Sequence, residues 1–151
     1  MLRNAQLVLV ASLAMTLFAP GFAKAQGTAA EAKAMLEKAV AAVKADKSKA
    51  IDMFNKGEGG FKDRDLYPFC FQISDGKILA APERVRGQDA RALKDPTGKA
   101  YGEDIYKAAA QDGKINEVSY QFPKPGASTP SPKTSFVTKV GDLGCGVGYY
   151  Q

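Results

Sequence analysis

The residues best suited to chemistry lie in and around a proline-rich hairpin in the C-terminal third of the chain. Val118, Tyr120 and Phe122 alternate with polar residues, and the β-branched segment 136–140 follows a stretch rich in proline, glycine and serine. This pattern predicts two strands joined by a wide, stiff loop. One cation, Lys133, lies where the predicted loop returns to the sheet.

The ammonium of Lys133 could pair with a carboxylate. Beside the rings of Tyr120 and Phe122, such a charge-assisted bond would lie in a partly dry pocket and be stronger than in open water. Tyr120 could add its hydroxyl, and Arg84 and Arg86 could offer bidentate guanidinium groups. The alternatives are a surface lysine, a tyrosine packed in the core and two solvated arginines. The residues alone leave these alternatives open.

Several enzyme and metal chemistries are disfavoured by composition. The 151 residues contain no histidine, which removes the usual general base at neutral pH and the commonest metal-binding side chain. Two cysteines cannot form a structural zinc site of the common thiolate–imidazole kind. Asp63, Asp65 and Asp75 could pair as carboxylates, but Asp75 belongs to a turn and Asp65 begins a strand. We therefore predict no enzyme activity, no metal site and no cofactor.

The first 25 residues resemble a secretory signal peptide. Arg3 supplies the positive start, residues 7–19 are a short apolar core, and Ala23 to Ala25 form a small-x-small cleavage signal. Cleavage is expected before Gln26, which predicts a periplasmic or secreted protein. The alternative is an uncleaved amphipathic anchor.

The charge of the chain suits small anions better than nucleic acid. The formal net charge is +5, and loss of Arg3 and Lys24 with the signal peptide would leave +3. Lysines and arginines are scattered along the chain, so no nucleic-acid-binding patch is predicted. A mild basic bias favours small anionic ligands.

The remaining pattern predicts an α+β fold. The predicted elements are a helix over 29–55, straight or bent near 46–48, a hairpin over 66–80, a helix over 102–111, the central hairpin and a last strand over 145–150. We expect one five-stranded antiparallel sheet, with the long N-terminal helix across one face and a ligand pocket on the other.

Ordered segments along the chain resemble a known family. They are Asp65-Leu66-Tyr67-Pro68-Phe69, Asp75-Gly76-Lys77-Ile78-Leu79-Ala80-Ala81-Pro82, Gly87-Gln88-Asp89, Leu93-Lys94-Asp95-Pro96-Thr97-Gly98-Lys99, the central hairpin, and Gly146-Val147-Gly148-Tyr149-Tyr150. In this order they resemble the single Cache domain of the second type, an extracytoplasmic PAS-like ligand-binding module. The resemblance covers nearly all of residues 26–151.

This resemblance implies a function. It implies a single Cache-like domain in a freestanding, exported form that senses a small organic anion such as a carboxylate, in chemotaxis-type signalling. The alternative is a protein that docks on a membrane receptor and binds no small ligand. The long N-terminal helix offers a surface for a homodimer. Tyr67 and Phe69 would form core or pocket wall, and Tyr101 and Tyr106 are assigned to helix packing.

The resemblance also bears on the two cysteines. In the PAS-like strand order the first and last strands are neighbours, which would place Cys70 and Cys145 on adjacent strands. An exported compartment is oxidising, so a disulfide is expected. The alternative is two free buried thiols that pack as small apolar groups.

Overall fold

The computed structural model describes residues 25–151. The predicted signal peptide therefore lies outside the described residues, apart from Ala25. Within residues 25–151, none of the helices combines the length and the apolar character that a membrane crossing requires.

The N-terminal region forms two helices, α1 (Ala29–Ala45) and α2 (Lys47–Lys56). Thr28 and Glu31 form the reciprocal capping box that their spacing predicts at the start of α1. Asp46 is extended, ends α1, and accepts a hydrogen bond from the backbone N–H of Lys49 as the cap of α2. The predicted bend near 46–48 is thus confirmed, and the straight helix is excluded.

Five strands and one further helix complete the fold. The elements are β1 (Pro68–Gln72), β2 (Ile78–Ala80), α3 (Tyr101–Ala108), β3 (Asn116–Pro123), β4 (Pro130–Val140) and β5 (Leu143–Tyr150), with a 3₁₀ turn at Ala90–Ala92. The strands form one sheet in the order β2-β1-β5-β4-β3, and every pairing is antiparallel. The predicted α+β class and five-stranded antiparallel sheet are confirmed.

Each face of the sheet buries its own apolar cluster. Helices α1 and α2 cover one face and pack against residues that include Leu143 and Val147. Helix α3 and the 3₁₀ turn cover part of the opposite face, where Phe71 and Val137 are buried. The layer of α3 and the 3₁₀ turn is smaller than the layer of α1 and α2. The face beneath α3 therefore has room for a cavity, as predicted.

The central hairpin differs from its prediction. Only residues 124–129 connect β3 to β4, so the prediction of a wide proline-rich loop is wrong. The backbone N–H of Gln151 donates to the carbonyl of Pro132, which shows that Pro132 turns its backbone toward β5. Pro130, two residues earlier, turns the same way, and β5 ends at Tyr150. Pro132 is tolerated there because its missing N–H faces the carbonyl of Gln151, which is exposed and can bond to water instead.

The two cysteines form a disulfide. Cys70 on β1 lies directly opposite Cys145 on β5, with the Cα atoms 4.1 Å apart. Both side chains are fully buried in the cluster beneath α1. The predicted disulfide is confirmed, and the free-thiol alternative is excluded.

Gly102 allows α3 to approach the 3₁₀ turn. A Cβ atom at Gly102 would overlap the backbone carbonyl oxygen of Ala90, which cannot move as a side chain can. We expect Gly102→Ala to lower the free energy of unfolding by about 1–3 kcal/mol through this overpacking. Urea unfolding would measure the loss, with Gly126→Ala as a control of equal volume. A Cβ at Gly126 would meet no atom of residues 25–151 within 4 Å. The positive φ of 77° still opposes the substitution, so its loss of stability should be smaller than that of Gly102→Ala. Equal losses in both variants would contradict the overlap.

Candidate ligand-binding site

A small cavity lies between the sheet and the layer that contains α3. Its volume is about 40 Å³. Its walls are mostly aromatic and aliphatic, and they come from Tyr67 and the β1 strand that follows it, β2, the segment 81–93, α3, β3 and β4. They include Tyr67, Phe69, Phe71, Ile78, Val85, Leu93, Tyr101, Ile105, Tyr120, Phe122 and Lys133. A space of this size holds roughly three water molecules, which limits a ligand to a few non-hydrogen atoms.

Lys133 supplies a cation to this apolar space. It lies within β4 opposite Tyr120, not at a loop end, and its side chain is 2% exposed. Its Nζ donates to Tyr67 Oη at 2.8 Å and lies 3.5 Å from Tyr150 Oη. Among residues 25–151, no carboxylate oxygen lies within 4.0 Å of the Lys133 ammonium. The hydrogen-bond partners of this buried ammonium within the described part of the chain are therefore neutral hydroxyl groups.

Three aromatic rings surround the same ammonium. Its distances to the ring centroids are 4.3 Å for Tyr67, 4.8 Å for Tyr150 and 5.2 Å for Phe122. Attraction between a cation and the ring faces recovers part of the hydration that burial removes. Lys133 is therefore not a surface lysine, the alternative that the sequence left open, because its ammonium is enclosed by these three rings.

Burial controls the protonation of the site. Loss of hydration lowers the pKa of Lys133 to about 7, with a smaller effect of the Arg84 charge in the same direction, while Asp65 opposes the shift. Burial also raises the pKa of Tyr67 well above its ordinary value, and that of Tyr150 to about 12. The hydroxyls around Lys133 therefore stay neutral at physiological pH.

The remaining predicted residues take different places. The rings of Tyr120 and Phe122 line the cavity, but the Tyr120 hydroxyl bonds to Ser135 Oγ at 2.9 Å. The Arg84 guanidinium is exposed and lies over the Phe122 ring, 4.9 Å from its centroid. Arg86 is exposed and donates from two nitrogens to the Ala81 carbonyl oxygen. Neither arginine contributes to the cavity wall.

Two residues of the site were missed or misassigned. Tyr150 contacts Lys133 and donates to the Pro123 carbonyl at 2.7 Å, so toward the cavity its oxygen acts as an acceptor. Tyr101, assigned to helix packing, stacks on Tyr120 with 4.3 Å between ring centroids and lines the cavity. The β4–β5 register, which pairs Lys133 with Tyr150, is the signal that would have found Tyr150.

Known proteins similar to this chain are chemotaxis receptors and sensor domains. The chain is 41% identical over 77 residues to "Methyl-accepting chemotaxis protein McpP" of Pseudomonas putida. The matched residues cover 50% of this chain but 14% of that receptor, so the chain spans a small part of the relative's length.

Solved structures share the fold. A methyl-accepting chemotaxis protein from Vibrio parahaemolyticus superposes with a TM-score of 0.63 at 21% identity, covering 80% of this chain and 86% of that one. A periplasmic sensor domain of a chemotaxis protein gives 0.60 at 23%, covering 78% and 86%. A structure titled for carboxylic acid recognition by a Cache chemosensory domain gives 0.59 at 24%, covering 78% and 84%.

The family match extends over almost the entire chain. Residues 3–150 match the family described as Single Cache domain 2. Together with the PAS-like sheet and the cavity on the face opposite α1, this match shows that the chain belongs to the Single Cache domain 2 family, a family of sensory, ligand-binding domains.

Proposed function

We propose that this chain senses a small carboxylate, which binds in the cavity with its anionic group paired to Lys133. One observation carries the proposal: Lys133 is 2% exposed and has no carboxylate within 4.0 Å among the described residues. A buried charge without a counter-ion is costly, and proteins normally pair it. A bound carboxylate would supply that counter-ion.

The cavity favours a short ligand with one charge. About 40 Å³ admits a carboxylate with an alkyl group of one to three carbons, and the apolar wall suits such a tail. Lys133 Nζ and the adjacent Tyr67 hydroxyl would hold the two carboxylate oxygens. We retain Tyr120, Phe122 and Phe69 as walls of this site.

The family and the disulfide support a location outside the cytoplasm. Disulfides persist in oxidising compartments, and a structural relative is described as a periplasmic sensor domain. We therefore propose a periplasmic or secreted sensor whose output passes through a membrane receptor in chemotaxis-type signalling. A homodimer through α1 stays a prediction.

A binding assay with neutral analogues would test the proposal. We expect propionate to raise the melting temperature of the oxidised protein and propionamide, which has the same shape without the charge, to leave it unchanged. A ligand at a hundred times its dissociation constant adds about 2.7 kcal/mol, which shifts the midpoint by several degrees. If no carboxylate of two to four carbons binds by calorimetry, or if amides bind equally well, the proposal fails.

Carboxylate affinity should depend on pH through Lys133. The free protein must bind a proton on this lysine before it pairs with an anion, and its pKa is lowered to about 7. Affinity should therefore change little between pH 5.5 and 6 and fall toward tenfold for each pH unit above about 7.5. The chain has no histidine to titrate in the same range. Calorimetry between pH 5.5 and 9 would measure the profile, and a flat profile would exclude Lys133 as the ion-pairing group.

A further inference from the structure

A second depression lies beside the cavity and is much larger. Its volume is about 290 Å³, and it lies between the end of α2, the segment 61–68, the segment 81–86 and the β3–β4 connection. Tyr67, Ala81 and Pro82 line both spaces. These shared residues form the wall between the two spaces. We call the larger space the basic groove, after its lining residues Lys56, Lys62, Arg64, Arg84 and Arg86.

The charge of the basic groove has one sign. Among residues 25–151, five residues of the lining are lysine or arginine, and none is aspartate or glutamate. Lys56 is paired with Asp52 at 2.8 Å, and Arg64 is paired with Glu31 at 2.6 Å and with Asp63 at 2.9 Å. These two cations are neutralised by acids that lie outside the groove.

Three cations of the groove keep an uncompensated charge. Lys62, Arg84 and Arg86 take part in none of the ion pairs formed among residues 25–151. All three are exposed, so they attract anions from solution without first losing their own hydration. Arg86 is in addition held in place by its bonds to the Ala81 carbonyl, on the rim that both spaces share.

The charge of Arg84, at the edge of the basic groove, also acts on groups inside the cavity. Its guanidinium lies 4.9 Å from the centroid of the Phe122 ring, and the Lys133 ammonium lies 5.2 Å from the same centroid. The positive charge of Arg84 lowers the pKa of Lys133 and also acts to lower those of Tyr67 and Tyr150. An anion that passes from the groove into the cavity would therefore leave the Arg84 guanidinium and reach the Lys133 ammonium, both of which lie against the Phe122 ring.

We propose that the basic groove is an outer anion-binding site from which a carboxylate enters the Lys133 cavity. This inference rests on the proposed function of the cavity and extends it to the route of entry. The groove collects small anions weakly and raises their local concentration at the shared wall of Tyr67, Ala81 and Pro82. The cavity then selects among them by size and by the single buried charge. The groove therefore determines the association rate, and the cavity determines the dissociation rate.

The kinetics of a groove variant would test this route. At pH 6, where Lys133 is protonated with or without Arg84, we expect the combined substitutions Lys62→Gln, Arg84→Gln and Arg86→Gln to slow propionate association about threefold to tenfold at 20 mM salt, with an unchanged dissociation rate. At 0.5 M salt the difference should fall below about twofold, because counter-ions screen exposed charges. Nuclear magnetic resonance exchange measurements on ¹⁵N-labelled protein give both rates.

A charge-matched control separates the groove from net charge. Lys33, Lys44 and Lys114 are exposed, unpaired among the described residues and absent from the groove lining. The variant with all three changed to glutamine should associate at the wild-type rate within about twofold. An unchanged association rate in the groove variant would overturn the proposal, as would equal slowing in both variants. A faster dissociation with unchanged association would also overturn it and make Arg84 a clamp on the bound ligand.

A second measurement keeps the groove testable if the cavity binds nothing. In Lys133→Met protein, inorganic sulfate should still shift the backbone amide signals of Lys62, Arg84 and Arg86, and the groove variant should lose these shifts at the remaining groove amides. Shifts that occur while propionate fails to bind wild-type protein would reject the cavity ligand and retain the outer site. If sulfate leaves the groove amides unshifted, the outer site itself is rejected.

Discussion

Replacing Lys133 with methionine is expected to abolish carboxylate binding and, at the same time, to stabilise the ligand-free protein. Methionine keeps the length and apolar stem of lysine and removes the buried ammonium. A bound carboxylate would then be desolvated without a counter-ion, so we expect a loss of affinity of at least about 100-fold, or about 3 kcal/mol. The three surrounding aromatic rings accept a thioether well.

The gain in stability follows from the lowered pKa of Lys133. The folded protein holds this proton with a pKa of about 7, and the unfolded chain holds it with the ordinary value of 10.5. Between these values the unfolded state binds more protons, so this residue makes the wild type less stable as pH falls from 10.5 to 7. Below pH 7 the penalty is fully present. Lys133→Met removes it, and we expect a gain of about 1 kcal/mol or more near neutral pH.

Calorimetry and urea unfolding would measure both effects. Lys139→Met is the matched control, because Lys139 lies on the same strand and pairs with Asp112 outside the cavity. It should bind propionate like the wild type and gain no stability. If Lys133→Met keeps its affinity, the ion pair with the ligand does not exist. If it unfolds more easily than wild type, the ammonium is satisfied without a ligand.

Reduction of the Cys70–Cys145 disulfide should cause the largest loss of stability. The bond closes a segment with a sequence separation of 75, and the chain-entropy account gives about 4 kcal/mol for a loop of this length. In a domain of this size the melting temperature should fall by roughly 10–20 °C. Because both cysteines are fully buried, reduction should require unfolding in the presence of reductant.

Urea unfolding of oxidised and reduced wild-type protein would measure this contribution. The reduced protein keeps both sulfur atoms, so the comparison isolates the cross-link from any cavity. In the Cys70→Ala/Cys145→Ala variant, reductant should have no effect, which controls for other actions of the reagent. A difference below about 1 kcal/mol between the two wild-type forms would show that the sheet alone constrains these strands.

The residues predicted much of the fold and part of the site. The period-two pattern at Val118, Tyr120 and Phe122 predicted a strand, and the structure places all three inward on β3. Lys133 was predicted as the binding cation, but its position at a loop end was wrong. The prolines that suggested a long loop fit into β4 because β5 ends beside them. The sequence of β4 does not show where its partner strand ends, so this could not be predicted.

Local features were determined by the sequence itself, because they depend on residues a few positions apart. The Thr28–Glu31 capping box, the break at Asp46 and the turn at Gly76 are of this kind. Their energies are set within one turn of chain, so the residue types suffice.

The binding site, by contrast, was decided by the tertiary structure. Lys133 meets Tyr67 across a separation of 66 residues, and strand order brings Tyr150 to its other side. Whether the ammonium lies in open water or in an apolar cavity depends on α3 and the segment 81–93 closing over the sheet. Burial of a charge, and hence its pKa and its need for a counter-ion, is a property of that assembled environment and not of the residue type.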